Sequence, residues 1–251
     1  MNTQKDLRLA VLIDADNIPS SNIKGMMEEI AKYGTPTLKR IYGDWTQPTL
    51  NGWKKVLLEN AITPIQQYSY TTGKNSSDSA LIIDAMDILY SEKADGFCIV
   101  SSDSDFTRLA TRLREAGMKV FGIGQKKTPT PFIVACDKFI YLEIIATPIV
   151  ETAEETKKVK EAPKETIHKI NKEVVNLIAS SIVDLEDEDG WAFLGEVGSL
   201  IMKKHPDFDP RNYGFAKLTP LMRAINKFEV NEKVMDNSKK KQVFVRIKPK
   251  K

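Results

Sequence analysis

The fold is decided by two stretches of sequence, VLIDADN (residues 11–17) and FCIVSSDSD (residues 97–105). Each begins with a short apolar run and ends in acidic and other polar residues. Apolar runs of this length are typical of strands that are buried on both faces of a parallel sheet. In open α/β sheets, ligands bind in the crevice beyond the carboxyl ends of such strands. We therefore expect the acids of both stretches to lie together at one edge of a parallel sheet.

Residues 7–145 alternate strand and helix patterns, which predicts an α/β domain with a parallel sheet and flanking helices. The predicted strands are 9–13, 38–43, 63–69, 97–100, 119–123 and 138–142. The predicted helices lie near 21–33, 50–60, 77–91, 105–116 and 131–136.

The composition changes after this α/β pattern. Residues 147–166 are rich in Glu and Lys and poor in large apolar residues, which is typical of a solvated linker. Helix patterns then follow at 167–183, 191–204 and 214–227, and two strand-like stretches surround the polar turn DNSKKK. The sequence thus predicts three parts: an α/β domain of residues 1–146, a linker of residues 147–166, and a small winged-helix (α+β) domain of residues 167–251.

The charge is distributed unevenly between these parts. Residues 1–150 carry 17 basic and 17 acidic side chains, whereas residues 167–251 carry 16 basic and 12 acidic ones. A basic surplus confined to one domain favours a polyanionic partner for it, most simply nucleic acid.

Composition also argues against several classes of function. No apolar run approaches the roughly 18 residues that a membrane-spanning helix needs, and the N-terminus lacks the apolar stretch of a secretory signal. We expect a cytoplasmic chain without a membrane partner. Its two cysteines, Cys98 and Cys136, lie in apolar surroundings and are expected to be buried thiols. Only His168 and His205 are histidines, which disfavours a zinc site and a histidine-based acyl-transfer triad.

Four aspartates carry the strongest functional signal: Asp14, Asp78, Asp103 and Asp105. Each lies where an apolar run stops or a helix begins. Carboxylates that meet at a sheet edge repel one another, and burying them without a partner is costly. A hard divalent cation with oxygen ligands resolves this conflict, so Mg²⁺ or Mn²⁺ is the expected cofactor. The pattern predicts a metal-dependent enzyme that acts on phosphates.

Other readings stay open for single residues. Helix capping alone could explain Asp78 or Asp105, and it explains Asp16 as well as a functional role does. Asp84 is equally open, whereas Asp87 is expected at the surface. Further candidates are Asn17, which could orient a carboxylate or a water, and Lys74, Asn75 and Ser102 as contacts to substrate.

Three motifs resemble a known family. VLIDADN, KNSSDSALIIDAMD and VSSDSDFTRLATRLREAGMKVFGIG, in this order, are similar to the NYN domain, a PIN-like nuclease group. The resemblance implies a metal-binding centre and Mg²⁺- or Mn²⁺-dependent endoribonuclease activity, with attack by metal-activated water. The acids that it implies for the centre are Asp14, Asp78, Asp103 and Asp105, with Asn17 in support.

The C-terminal part resembles a LOTUS (OST-HTH) domain through DGWAFLGEVGSLIMKKHPDFDPRNYGFAKLTPLMRAINKFEV and the later strand QVFVRI. This resemblance implies a winged helix that binds RNA, single-stranded or structured, and in some members a protein partner. Candidate phosphate contacts are Arg211, Lys217 and Arg223, which a solvated surface would explain equally well.

The leading hypothesis is an RNA-directed nuclease in which the C-terminal domain raises the local concentration of RNA at the acidic site. Two alternatives use the same sequence features. One is a non-catalytic RNA-binding or scaffold protein. The other is a metal-dependent phosphatase in which Asp14 serves as the nucleophile.

Overall fold

The computed structural model describes residues 6–68, 76–146, 167–234 and 241–249. The chain divides into two compact units, Met1–Thr147 and Pro148–Lys251. The segment predicted as a linker, 147–166, lies outside the described residues.

The N-terminal unit is built on a six-stranded parallel sheet with the strand order β3-β2-β1-β4-β5-β6. Its strands are β1 Arg8–Asp14, β2 Thr35–Gly43, β3 Thr63–Gln66, β4 Gly96–Val100, β5 Lys119–Gly124 and β6 Lys138–Tyr141. The two strands from which the prediction started, β1 and β4, are paired at the centre of this sheet. Their apolar residues are fully buried, as expected for strands that are covered on both faces.

The described residues of this unit form six helices beside the sheet: α1 Ile23–Ile30, α2 Asn51–Lys54, α3 Ser76–Tyr90, α4 Thr107–Glu115, α5 Thr130–Ala135 and α6 Leu142–Ala146. The predicted α/β class is confirmed. Short 3₁₀ turns precede α1, α2 and α4.

Two predicted elements differ from the structure at their ends. The edge strand β3 stops at Gln66 rather than Ser69, because its neighbour β2 ends at Gly43 and offers no further partner. The predicted helix 50–60 is regular only as α2 and continues as turns. Those turns close with the N–H of Ile62 bonded to the carbonyl of Leu57 and with Ala61 at φ 49°, the bonding pattern of a Schellman motif.

The C-terminal unit combines helices with a small antiparallel sheet, which confirms the predicted α+β class. Its elements are α7 Lys172–Val183, β7 Ala192–Phe193, α8 Leu194–Lys204, α9 Leu218–Ala224, β8 Phe228–Val234 and β9 Lys241–Ile247. The sheet has the order β7-β9-β8. The predicted helix 214–227 is shorter because Gly214 adopts a left-handed conformation, φ 83°, and Lys217 is extended.

Each unit has buried apolar residues of its own. In the C-terminal unit these come from α7, α8, α9 and the sheet, with Ile178, Ile182, Val197 and Val245 fully buried. Tyr213, Phe215 and Leu218 pack against this core. None of the helices that the structure describes has the length and apolar character needed to cross a membrane.

Candidate functional site

Asp14 is the last residue of β1 and is almost completely buried, with 1% of its surface exposed. Its carboxylate accepts three hydrogen bonds. Oδ1 accepts the backbone N–H of Asp16 at 3.2 Å, and Oδ2 accepts Nδ2 of Asn17 at 2.6 Å and Oγ of Ser101 at 2.8 Å. Burial raises the pKa of Asp14, and these hydrogen bonds act in the opposite direction. Asp14 is therefore a buried carboxylate whose orientation is fixed from two strands.

The polar run after β4 is held by its own side chains. Oγ of Ser101 accepts the N–H of Asp103 at 3.1 Å, and Oδ1 of Asp103 accepts the N–H of Asp105 at 2.9 Å. Asp103 thereby caps the 3₁₀ turn Ser104–Phe106 that leads into α4. The cap uses only one carboxylate oxygen of Asp103, so the same side chain can both cap the turn and contribute an oxygen to the acidic site.

Asp78 enters the site from the first turn of α3. One carboxylate oxygen from each of Asp78, Asp103 and Asp105 lies within 4.8 Å of those of the other two. Asp78 is buried, Asp103 partly buried and Asp105 exposed, so the group opens towards solvent on one side. Burial and then the negative charges of Asp14, Asp103, Asp105 and Asp16 raise the pKa of Asp78 to about 6.

This acidic cluster (Asp78, Asp103 and Asp105) fits a divalent cation. Among the residues that the structure describes, no other group of His, Cys, Asp or Glu has this geometry. Three carboxylates without histidine or cysteine are the donors that Mg²⁺ and Mn²⁺ prefer. Burial and then the neighbouring carboxylates disfavour the charged form of Asp78, and a bound cation would offset the repulsion between these carboxylates.

Asp14 was predicted as a fourth metal ligand. It is not one of the three residues whose carboxylate oxygens lie within 4.8 Å of one another, and its role as a ligand stays a prediction. Among the neighbouring carboxylates, Asp14 nevertheless contributes most to raising the pKa of Asp78, after the effect of burial. Asp16 is exposed, and its Oδ2 accepts Oγ of Ser77 at 3.1 Å. Asn17 donates its Nδ2 to the carboxylate of Asp14, which is the contact expected if it orients a carboxylate rather than a water.

Sequence reasoning missed the role of Ser101 and singled out Ser102 instead. Ser102 is buried, and its Oγ accepts the N–H of Gln125 at 2.8 Å, which ties the exit of β4 to the exit of β5. The sequence did indicate a site after β4, because more polar residues follow that strand than a helix cap requires. That signal did not reveal which serine turns towards β1.

Among the other candidates in this unit, Lys74 and Asn75 lie outside the described residues. Asp84 accepts hydrogen bonds from Arg40 and from the hydroxyl of Tyr42, which gives it a structural role between α3 and β2. Asp87 is exposed, as predicted.

The three predicted phosphate contacts of the C-terminal unit differ in what they touch. Arg211 forms an ion pair of 2.7 Å with Asp209, and only 13% and 10% of their side chains are exposed. Arg223 pairs with Glu232 at 2.7 Å on the surface. Lys217 is exposed. The guanidinium of Arg211 thus already binds the carboxylate of Asp209 two residues earlier, and its role as a phosphate contact stays a prediction.

Comparison with known proteins places these features in a family. The family model of the NYN domain matches residues 8–143, and that of the OST-HTH/LOTUS domain matches residues 165–238. No curated protein matches the chain.

The chain is also similar to several solved structures. One, from Vibrio parahaemolyticus, is 18% identical with a TM-score of 0.48, over 57% of this chain and 96% of the other. A second, from Nitrosomonas europaea, is 28% identical with a TM-score of 0.33, over 41% of this chain and 95% of the other. A third, from Chromobacterium violaceum, is 29% identical with a TM-score of 0.26, over 33% of this chain and 87% of the other.

The NYN match spans more than half of the sequence and contains every element that builds the acidic cluster. The OST-HTH/LOTUS match follows it in the order that the sequence motifs predicted. The protein therefore belongs to the NYN domain family, a PIN-like nuclease family, and carries an OST-HTH/LOTUS domain in its C-terminal unit.

Proposed function

We propose that this protein is a divalent-metal-dependent endoribonuclease that uses its C-terminal unit to engage RNA. The observation that carries the proposal is the acidic cluster, in which three carboxylates from two separate elements meet within 4.8 Å inside an NYN domain. Asp78, Asp103 and Asp105 would hold Mg²⁺ or Mn²⁺. When bound, the ion supplies the Lewis acidity that hydrolysis of a phosphodiester needs.

The surrounding residues keep the cluster in place. Asn17 and Ser101 hold the Asp14 carboxylate, and Ser101 also receives the N–H of Asp103. The position of the Asp103 carboxylate is thus coupled to that of Asp14 through one hydroxyl. In this proposal Asp14 is a positioning residue, which adds negative charge next to the cluster and fixes the exit of β4.

The burial of Asp14 disfavours the phosphatase alternative. A phosphoaspartyl mechanism needs an accessible carboxylate oxygen as nucleophile. Both oxygens of Asp14 accept hydrogen bonds, and the residue is 1% exposed. Hydrolysis by water at the more open Asp103 and Asp105 side of the cluster agrees better with this geometry.

The assignment of RNA rests on the second domain. The described part of the C-terminal unit matches the OST-HTH/LOTUS family, and residues 167–251 carry the basic surplus of the chain. Of the three predicted phosphate contacts, Lys217 is exposed there, and Arg223 lies on the surface in an ion pair with Glu232. Engagement of RNA by this unit would raise the RNA concentration near the acidic cluster.

The test is cleavage of a circular single-stranded RNA, which has no ends for an exonuclease, with Mg²⁺, Mn²⁺ or EDTA. We expect linear products with a divalent ion and none with EDTA. Asp78→Asn should lower the rate by at least about 100-fold, since even outer-shell partners of a metal cost up to that much. Asp87→Asn is the matched control, because it makes the same change on the exposed face of the same helix.

Equal rates for the wild type and Asp78→Asn, or products that form in EDTA, would contradict the nuclease proposal. Binding of the circle without cleavage would support the non-catalytic alternative. Hydrolysis of p-nitrophenyl phosphate without cleavage of RNA would support a phosphatase instead.

A further inference from the structure

The C-terminal unit contains a cavity of about 650 Å³ that the acidic cluster does not involve. Its walls come from the residues that precede and begin α7 and from the loop that follows α8. This volume lies within the range of about 300–1,000 Å³ that is usual for small-ligand sites in proteins.

Aromatic rings line one side of this cavity. The ring of Tyr213 lies between those of His168, at 5.9 Å between centroids, and Phe208, at 5.8 Å. Phe208 is buried and supports the row, whereas Tyr213 and His168 are partly exposed. His205 lies on the same cavity and is exposed. Tyrosine and histidine rings in such a position are the usual stacking partners of unstacked nucleobases.

Two carboxylate side chains line this cavity. Asp207 and Glu173 both line it, and the negative charge of Asp207 contributes, after burial, to raising the pKa of Tyr213 to about 12. Carboxylates accept hydrogen bonds from amino groups on base edges and repel phosphates. Lys169 lines the same cavity and is exposed, where it can meet a phosphate. The chemistry therefore favours a base inside the cavity and its phosphate outside.

A buried residue, Asn212, joins the two walls. Asn212 is 1% exposed. Its side-chain Nδ2 donates to the backbone carbonyl of Asp207 at 2.8 Å, and its own backbone carbonyl accepts the N–H of His168 at 2.9 Å. One residue thus fixes the carboxylate wall and the ring wall against each other. A cavity that is preformed in this way binds its ligand with a smaller entropic cost of ordering.

We propose that this base pocket, formed by His168, Glu173, His205, Asp207 and Tyr213, receives one unstacked base of single-stranded RNA that carries an exocyclic amino group. The proposal rests on the proposed function, in which the C-terminal unit engages RNA, and it names the chemical group that this unit recognises. Adenine, cytosine and guanine have such an amino group, and uracil does not.

The two histidines allow a direct test on the full chain without a tag. Because His168 and His205 are the only histidines and both line the pocket, ¹³C-labelled histidine gives two imidazole signals, and both report on the pocket. Titration with a ten-nucleotide oligo(A) in EDTA, which prevents metal-dependent cleavage, should shift both signals. Inorganic phosphate at the same concentration should not reproduce these shifts. RNA binding that leaves both signals unmoved would overturn the proposal.

Fluorescence anisotropy with oligo(A), oligo(C) and oligo(U) tests the recognition. Asp207→Asn should weaken binding of oligo(A) and oligo(C) by about tenfold, because a hydrogen bond to a charged group is lost, and binding of oligo(U) less. Tyr213→Leu should weaken all three by about tenfold through the lost stacking. Glu188→Gln is the control, since it changes an exposed acid of the same unit outside the pocket.

The outcomes separate this inference from the proposed function. Unchanged binding of all three oligonucleotides by Asp207→Asn and Tyr213→Leu, with normal wild-type binding, would overturn the base pocket alone. Absence of any RNA binding by the wild type would overturn the RNA engagement on which the pocket depends. The wild-type histidine signals need no substitution, so a variant that fails to fold does not prevent the test.

Discussion

At the scale of single residues, Asp78 is subject to opposing demands. Its place in the first turn of α3 suits an acid, because the positive end of the helix dipole lies there. Burial and the surrounding carboxylates nevertheless raise its pKa to about 6. A charged Asp78 is thus unfavourable for the metal-free fold and useful for binding a cation. Sites that carry such a conflict trade stability for activity.

We predict that Asp78→Asn stabilises the metal-free chain. The amide keeps the shape of the side chain and removes the repelled charge. After allowance for solvent screening, the gain in unfolding free energy at pH 7 should be about 1–2 kcal/mol. Urea denaturation in EDTA measures it. A variant that is less stable than the wild type in EDTA would contradict this account of the cluster.

The same substitution has a defined pH dependence. Because the pKa of Asp78 is higher in the folded chain than its ordinary value of 3.8, the folded state holds this proton more tightly. The contribution of Asp78 to stability therefore declines as pH rises from about 4 through about 6. The stability difference between variant and wild type should be small at pH 4, grow across this range, and level off above it. A difference that stays constant from pH 4 to pH 8 would show that Asp78 does not titrate in this range.

At the scale of elements, α3 shows how one helix distributes three acids among three environments. Asp78 belongs to the acidic cluster. Asp84 accepts hydrogen bonds from Arg40 and from the buried Tyr42 of β2, and Asp87 faces solvent. The negative charge of Asp84 and its hydrogen bond help to raise the pKa of the Tyr42 hydroxyl, with burial as the larger cause. Asp84 therefore anchors α3, the helix that carries Asp78, to strand β2 of the sheet.

We predict that Asp84→Ala destabilises the N-terminal unit by about 1–3 kcal/mol, because the hydroxyl of buried Tyr42 loses its acceptor. Asp87→Ala on the same helix should stay within about 0.5 kcal/mol of the wild type, as surface changes usually do. Chemical denaturation of the two variants side by side checks this. Equal effects of the two substitutions would argue against a structural role for Asp84.

The elements of the sheet were predictable because burial on both faces leaves a clear mark in the sequence. The apolar runs of β1 and β4 could be read directly, and the acids that follow them were expected at one edge. The ends of β3 and α2 could not be read, because they depend on where β2 stops and on the left-handed conformation of Ala61. Such features arise from neighbours in space rather than from local pattern.

The same limit applies to the two sites. The convergence of Asp78, Asp103 and Asp105 was expected from their places at element ends together with the resemblance to the NYN domain. The hydrogen bond from Ser101 to Asp14 joins residues 87 positions apart, and no local pattern identifies it. The pairing of Arg211 with Asp209 was equally hidden, since an arginine in a basic domain resembles a phosphate contact until its partner is known. The base pocket was not predicted from the sequence, because His168 lies 37 positions before His205 and 45 positions before Tyr213.

At the scale of the whole molecule, the chain is two compact units, and each has a buried apolar core of its own. Chains with more than one such unit often unfold in more than one step. We therefore predict two transitions in differential scanning calorimetry.

Two substitutions should identify these transitions. Arg211→Ala removes the guanidinium from a nearly buried ion pair, so it should lower one transition, by an amount that corresponds to about 2–4 kcal/mol. Asp78→Asn should raise the other in EDTA, and Mn²⁺ should raise that same transition in the wild type by mass action. A single transition that moves as a whole with either substitution would show that the units unfold together.

The burial of both cysteines has a practical consequence for studying these units. Cys98 and Cys136 are each 1% exposed, and burial raises the pKa of both thiols, that of Cys136 to about 12. Thiols that are buried and protonated react slowly with maleimides. The native sequence can therefore serve without cysteine removal as the background for dye attachment. One cysteine introduced on the surface of each unit would carry a fluorophore, and energy transfer between the two would follow their separation as RNA is added.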